Sequence, residues 1–389
     1  MNRDKVLTIA LVALTLSIVL TSGLVVYLML RPQQAGTTSQ GQADSAYPAQ
    51  AGGSEPSIVY MTDHSEENDR TAVYVMDVDG SNRRRLAGSE NGICVVPRFS
   101  PDGQRIAFSV TLVGEDDEWG SSDDELEIWV MRADGSEQLR LSDLIEDELV
   151  GQWTPVSWSP DGARIALPGQ VERGSENSNI YILASDGSAL EHTIAVPLSI
   201  FGLQWSPSGD ALLFGFETDT VGNGAAMLSL SDGQVTTLSQ DASSAAWSPD
   251  GTEIAVAAEL AQQIIIMGRD GVATWSVQLD QGFPSAVAWS PDGTRIAATA
   301  ASSYQQGPEI LYIITAETGE RVAVSQNEIE FFFIAWSPDS TRVLYTDVID
   351  RAEEADLPAA NLWIYELASG EFVQLTDSPW HDGLGDWSP

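Results

Sequence analysis

The chain has 389 residues, a formal net charge of −39 from 57 acidic and 18 basic residues, three histidines and one cysteine. So negative a surface repels nucleic acid and anionic lipid headgroups, which argues against both as partners. The single cysteine, Cys94, excludes a disulfide framework and a cysteine-built metal site, and it reads as a small core residue.

Residues 1–31 open with Arg3 and Lys5 and continue with 25 uncharged residues, VLTIALVALTLSIVLTSGLVVYLML. That length suits one transmembrane helix across a hydrocarbon core of about 30 Å. The apolar run continues past Thr21-Ser22-Gly23, so an uncleaved anchor is expected over a signal peptide. The leading positive charges predict a cytoplasmic N-terminus and an extracytoplasmic remainder. Residues 32–56, rich in Gly, Ser, Gln and Ala, read as a flexible tether. Without residues 1–31, which hold three bases and one acid, 56 acids and 15 bases remain.

From Ser57 onward the chain repeats one motif. It appears as FSPDG at Phe99, WSPDG at Trp158, Trp247 and Trp289, WSPSG at Trp205, WSPDS at Trp336, and WSP at Trp387. The aromatics lie 59, 47, 42, 42, 47 and 51 residues apart, a period that signals a propeller or a repeat array. Ser-Pro-Asp-Gly has the preferences of a type I turn: Ser bonds locally, Pro pre-sets φ, and Gly takes a positive φ. Ser208 and Ser340 are expected to weaken two of these turns.

An apolar run follows each turn, such as RIAFSV from Arg105 or RVLYTD from Arg342. Then come a loop, a second β-rich run such as EIWVM at Glu127 or NIYIL at Asn179, and in most repeats Asp-Gly. Asp-Gly between β runs signals a hairpin. A third run follows, QLRLS at Gln138 or FVQLT at Phe372, and then the next WSP strand. Four strands per unit make a propeller blade. SIVYM at Ser57 lacks a preceding WSP strand, and the WSP strand at Trp387 lacks a following one. The fold expected is therefore all-β: a seven-bladed propeller over residues 57–389, closed by a one-plus-three blade, which removes a free sheet edge.

The W-S-P-D-G-x-x-I-A, I-Y-x-x-x-x-D-G and L-T elements together resemble the WD40-like (PD40) propeller repeat of the TolB family, and also the propellers of the prolyl-oligopeptidase group. The resemblance covers roughly residues 57–389. It implies the fold. The TolB pattern has six blades behind an α/β domain, and seven blades without that domain are expected in this chain, so the Tol-system role is not carried over. No G-x-S-x-G is present, so the hydrolase chemistry is not carried over either.

In such a blade the WSPDG and Asp-Gly turns share one face of the disc, which carries Arg105, Arg164, Arg295 and Arg342. The other face receives the long acidic insertions 63–70, 112–125, 170–178 and 347–360 and the inter-blade stretches 143–149 and 377–385. Long loops on a rigid scaffold are where binding resides, so this loop face is the expected binding face. Its candidate residues are Asp116, Asp117, Glu118, Trp119, Asp123, Asp124, Glu125, His64, Trp380 and His381. Trp119 and Trp380 lie outside the repeat positions and suit interface anchors or loop packing. The repeat tryptophans read as inter-blade packing.

Eight acids fall within 13 residues between Glu115 and Glu127, and Ca²⁺ held by Asp116, Asp117, Asp123 and Asp124 would relieve their repulsion; a solvated loop is the alternative. Asp77–Asn82 resembles the start of a calcium loop but has Gly88 at the twelfth position, so it reads as a hairpin turn. No catalytic residue, resident metal or cofactor is expected. The function expected is a membrane-tethered, non-catalytic scaffold binding a protein or peptide of basic surface, or a cell-surface glycan. The alternative is a propeller lyase or hydrolase acting on a polysaccharide or peptide, with His64 and His381 meeting at the ring closure beside Asp377 or Asp382. A third reading is that the acidity serves solubility or high-salt adaptation.

Overall fold

A computed structural model describes residues 56–62, 71–89, 92–112, 125–145, 156–170, 177–218, 222–280, 282–303, 306–324, 331–349, 359–378 and 381–389. Among them, seven four-stranded antiparallel sheets form the seven blades of a propeller. Blade 1 contains β1 (Ser57–Thr62), β2 (Thr71–Asp77) and β3 (Arg84–Ser89). Blade 2 contains β4 (Gly92–Phe99), β5 (Arg105–Leu112), β6 (Glu125–Arg132) and β7 (Leu139–Arg140). Blade 3 contains β8 (Ser157–Trp158), β9 (Arg164–Gln170), β10 (Ser178–Ala184) and β11 (Leu190–Val196).

Blade 4 runs through β12 (Ser199–Trp205), β13 (Ala211–Thr218), β14 (Gly222–Ser229) and β15 (Val235–Ser239). Blade 5 runs through β16 (Ser244–Trp247), β17 (Glu253–Ala258), β18 (Gln263–Gly268) and β19 (Ala273–Gln278). Blade 6 holds β20 (Phe283–Trp289), β21 (Arg295–Ser303), β22 (Gln306–Thr315) and β23 (Arg321–Ala323). Blade 7 holds β24 (Phe331–Trp336), β25 (Arg342–Ile349), β26 (Ala359–Glu366) and β27 (Phe372–Gln374). The last strand, β28 (Asp382–Trp387), returns to complete blade 1.

That return is the one-plus-three closure read from the sequence. β28 pairs antiparallel with β1, setting Ile58 opposite Trp387 and Thr62 opposite Asp382. Ser388 N–H donates to the Ser57 carbonyl and Ser57 N–H to Ser388 Oγ, both at 2.8 Å, across 331 residues of chain. Two outer strands are shorter than their sequence runs suggest: β7 has two residues before a 3₁₀ turn at Ser142–Leu144, and β27 has three. No helix among the described residues is long and apolar enough to cross a membrane; residues 1–31, the expected anchor, lie outside them.

The period-2 alternation of each strand explains the core. Ile106 faces blade 1 and its neighbour Ala107 faces blade 3, so a blade is apolar on both surfaces. The result is seven separate apolar clusters, one per blade interface. The repeat aromatics lie in these interfaces. Trp158, Trp336 and Trp387 donate Nε1–H to the backbone carbonyls of Arg98, Ala288 and Ala335 in the preceding blade. Cys94 is 1% exposed in β4 and packs in the interface between blades 1 and 2.

Candidate functional site

The two faces of the disc are built differently. On the turn face, one hydrogen-bond pattern recurs. In blade 2, Ser100 Oγ donates to Asp102 Oδ1 at 2.6 Å and accepts from Arg105 N–H at 3.0 Å, while Gly103 N–H donates to the Ser100 carbonyl at 2.8 Å. The same Ser Oγ contacts recur at Ser159, Ser248, Ser290 and Ser337. These serines are almost fully buried, so the hydroxyl is consumed within the turn.

The two variant turns are repaired, against the weakening expected from the sequence. In blade 4, Ser208 replaces the turn aspartate, and Asp210 two residues later accepts from both Ser206 and Ser208. In blade 7, Ser340 takes the glycine position at φ 60°, and its Oγ accepts from Asp292 N–H of blade 6 at 3.0 Å. This contact gives a return for the strained backbone.

The turn-face arginines are also committed. Arg105 lies over the Trp158 ring of the next blade at 5.1 Å, Arg164 over Trp205 at 4.8 Å and Arg342 over Trp387 at 5.2 Å. Blade 4 has Ala211 at the equivalent position, and Arg269 of blade 5 reaches back over Trp247 instead. Arg105 also donates to the Gly162 carbonyl and to Ser185. Turn carboxylates are held below the usual range by the hydroxyls and amides they accept from: Ser100 and Gln104 at Asp102, Ser159 and Ala163 at Asp161. At Asp210 the Arg269 guanidinium leads and Ser208 follows. Asp77–Asn82 is the hairpin turn expected, with Gly80 at φ 80° and Asn82 donating to Asp77.

The loop face carries the ends of the central strands. β5 stops at Leu112 and β6 starts at Glu125, which is exposed; Asp116, Asp117, Glu118, Trp119, Asp123 and Asp124 lie outside the described residues. So do His64 and Trp380. The pairing of His64 with His381 is therefore not on view. His381 is 3% exposed, and its backbone bridges Ala360 of blade 7. A Cβ on Gly383 would stand 3.1 Å from its Nε2, so the ring is fitted against a glycine. His381 thus belongs to the wall at the ring closure. Next to it, Asp382 is 4% exposed and accepts from Ser378 Oγ at 2.8 Å. Burial, with the Asp382 charge adding to it, pushes the Tyr60 phenol well above its usual range.

One buried charge near this face was not singled out from the sequence. Glu127, 7% exposed, accepts from Arg140 and from Trp129 Nε1 at 2.9 Å, and Arg140 also holds Asp143 at 2.6 Å. A glutamate inside the apolar run ELEIWVM was the available signal. Among the described residues no group of three or more His, Cys, Asp or Glu is placed to hold a metal.

The innermost strands add a pair that spacing does not reveal. Asp386 Oδ2 accepts from Phe99 N–H at 2.8 Å across the join between blades 1 and 2. Burial raises the Asp386 pKa while the Arg98 charge opposes the shift, and burial lowers that of Arg98.

Seven blades, SPDG turns and the closing strand are the setting in which the likeness to known proteins is to be weighed. The chain matches the family described as the TolB β-propeller domain (PD40) over residues 55–283, more than half its length. The chain belongs to the TolB β-propeller domain family. Among solved structures, TolB from Acinetobacter baumannii is 14% identical with a TM-score of 0.55, the match covering 86% of this chain and 66% of that one. The present chain thus spans just under two thirds of that protein, and the likeness shows the fold alone.

A protein of Agrobacterium tumefaciens named for TolB is 16% identical, with a TM-score of 0.47 over 85% of this chain and 91% of that one. Kuenenia stuttgartiensis hydrazine synthase is 17% identical, with a TM-score of 0.44 over 59% and 68%. Membership in the TolB propeller family accounts for the SPDG turns and leaves the loops to define what this member does.

Proposed function

We propose that this protein is a membrane-tethered, extracytoplasmic, non-catalytic scaffold whose loop face holds a protein or peptide with a basic surface. The observation that carries the reading is how polar groups are spent on the two faces. On the turn face the SPD-turn carboxylates accept from their own turns and Arg105, Arg164, Arg269 and Arg342 lie on tryptophans, so the repeated charges of that face are engaged in the scaffold. Facing the loop side, the sequence between the ends of β5 and β6 concentrates acids from Glu115 to Glu125 on a stretch that no repeat position requires. Such a field speeds association with a basic partner more than it deepens affinity.

The tether and orientation rest on residues 1–31, with 25 uncharged residues behind Arg3 and Lys5. Membership in the TolB propeller family supports a scaffold role, since the fold presents loops on a rigid disc. The test is affinity capture from solubilised envelope with the full chain in detergent, compared with a variant carrying Asn at Asp116, Asp117, Asp123 and Asp124. A discrete partner that weakens with salt and is lost in the variant is the expected result. Identical captures from both proteins would overturn the reading.

A further inference from the structure

The loop-face half of the interface between blades 4 and 5 contains a cavity of about 130 Å³. One wall is Phe201, Leu213 and Ala225 with the backbone of Gly215; the facing wall is Ala242, Ser243 and Ala245 of the next blade. Its origin is legible in the residues. A Cβ on Gly215 would come 2.4 Å from Phe201, and one on Gly224 would come 2.4 Å from Phe216 and 2.6 Å from the Ser239 carbonyl. Phe201 therefore lies directly on Gly215, on the sheet face turned toward the alanines of blade 5, while Gly224 is covered by Phe216 on the opposite face.

Strand β12 is bulged between Phe201 and Leu203, with Gly202 at φ 55°, and the bulge sets Phe201 at the mouth, 38% exposed. Gln204 Nε2 reaches across the interface to the Ala245 carbonyl at 3.0 Å.

No lining residue is ionisable. The surrounding segments, residues 199–224 and 239–262, contain no Lys, Arg or His; they hold Glu217 near the end of β13, Glu259 just past β17, and Asp241, whose carboxylate accepts from Leu260 and Ala261 N–H. The site is thus an uncharged recess with an acidic rim. Pockets that enclose a drug-sized molecule run to about 300–1,000 Å³, so this one has room for a single side chain of something larger. A side chain seated in a well-packed, desolvated pocket carries a large share of the energy of a protein interface.

We propose that the recess is the anchor subsite of the loop face, taking one aliphatic side chain of a partner protein that is flanked by basic residues. The proposal rests on the loop-face reading above and adds the position and chemistry of its central contact. The acidic rim selects the flanking charges, and the uncharged recess selects the anchor.

The test titrates the full chain in detergent with capped pentapeptides Lys-Lys-Leu-Lys-Lys and Lys-Lys-Gly-Lys-Lys. It is repeated with Ala245→Leu, which fills the recess, and with Phe201→Ala, which removes one wall; thermal melts verify that both variants fold. The Leu peptide is expected to bind about tenfold or more tightly than the Gly peptide, and either variant should erase the difference. Equal binding of the two peptides, with both weakened by salt, would overturn the anchor and leave the basic-partner reading standing. A Leu preference that survives in both variants would place the anchor elsewhere and overturn the assignment. If neither peptide binds, the anchor and the basic-partner reading both fall; binding of a neutral oligosaccharide lost in Ala245→Leu would then assign the recess to a glycan.

Discussion

The turn face and the loop face of this disc are made from the same four-stranded unit, yet they use their polar residues in opposite ways. Each Ser-Pro turn of blades 2 to 7 on the first face repeats a serine that donates to a nearby carboxylate and accepts from the backbone of the following strand. Arg105, Arg164 and Arg342 lie over tryptophans of the next blade, and Arg269 over the tryptophan of its own. Charge there is structural. On the loop face the strand ends differ from blade to blade, from the buried Glu127 of blade 2, paired with Arg140 that also holds the exposed Asp143, to the buried His381 and Asp382 at the closure and the uncharged recess between blades 4 and 5. The difference teaches that regularity marks the scaffold in a propeller, and departures from the repeat mark where the individual protein has invested its sequence.

If that division is right, turn-side changes should cost stability and spare binding, and loop-side changes should do the reverse. The largest effect is expected from Trp336→Ala, which opens the interface between blades 6 and 7 and removes the hydrogen bond to the Ala288 carbonyl. A loss of about 3–5 kcal/mol should appear in chemical denaturation. Ser290→Ala is next: it strands the Arg295 N–H and takes one of its donors from Asp292, which keeps those of Thr294, at a cost of about 1–3 kcal/mol by the same measurement. Arg164→Ala, which uncovers Trp205, should cost about 0.5–2 kcal/mol. In all three, partner affinity at a temperature where the variant is folded should match the parent.

Acidification sharpens the same contrast. The carboxyl groups of Asp102 and Asp161 have folded-state pKa values below their unfolded ones, because Ser100 and Ser159 and backbone amides donate to the ionised form. A depressed acid contributes its stability above the unfolded pKa and loses it as pH falls through the folded one. The melting temperature should therefore hold through neutral pH and decline as pH drops below about 4. Ser159→Ala should flatten that decline, because it removes the first cause of the Asp161 shift. A decline of unchanged steepness in Ser159→Ala would mean that the turn contacts are not its source. The smallest stability effect is expected on the loop side, where Glu125→Gln, at an exposed position, should change stability by under about 0.5 kcal/mol.

The fold was legible because its determinants are local and repeated. The Ser-Pro-Asp-Gly turn, the two apolar runs and the Asp-Gly hairpin fix four strands, and the unmatched runs at Ser57 and Trp387 announce how the ring closes. What the sequence hid depends on neighbours distant in the chain. The rescue of the blade 7 turn by Ser340 needs Asp292 of the blade before it, 48 residues away. The stacking of arginines on tryptophans requires knowing that a turn in one blade lies over the strand of the next. The recess required Gly215 and Ala245 to be seen on facing surfaces of two blades, where small residues read singly suggest only permissive packing. His381 was legible as a residue at the closure; its burial was not, because that follows from the fit against Gly383 and the bridge to Ala360.

The division between the faces is tested most directly by matched charge removal. One full-length variant would carry Asp123→Asn, Asp124→Asn and Glu125→Gln; the other would carry Glu317→Gln, Glu320→Gln and Glu371→Gln, three exposed acids of the turn side. Both remove the same number of negative charges. The measurement is the association rate with the captured partner as a function of ionic strength. The loop-side variant should associate more slowly and show a shallower salt dependence, while the turn-side variant should follow the parent. Equal slowing in both would mean that the partner responds to total charge alone, and the assignment of binding to the loop face would be wrong.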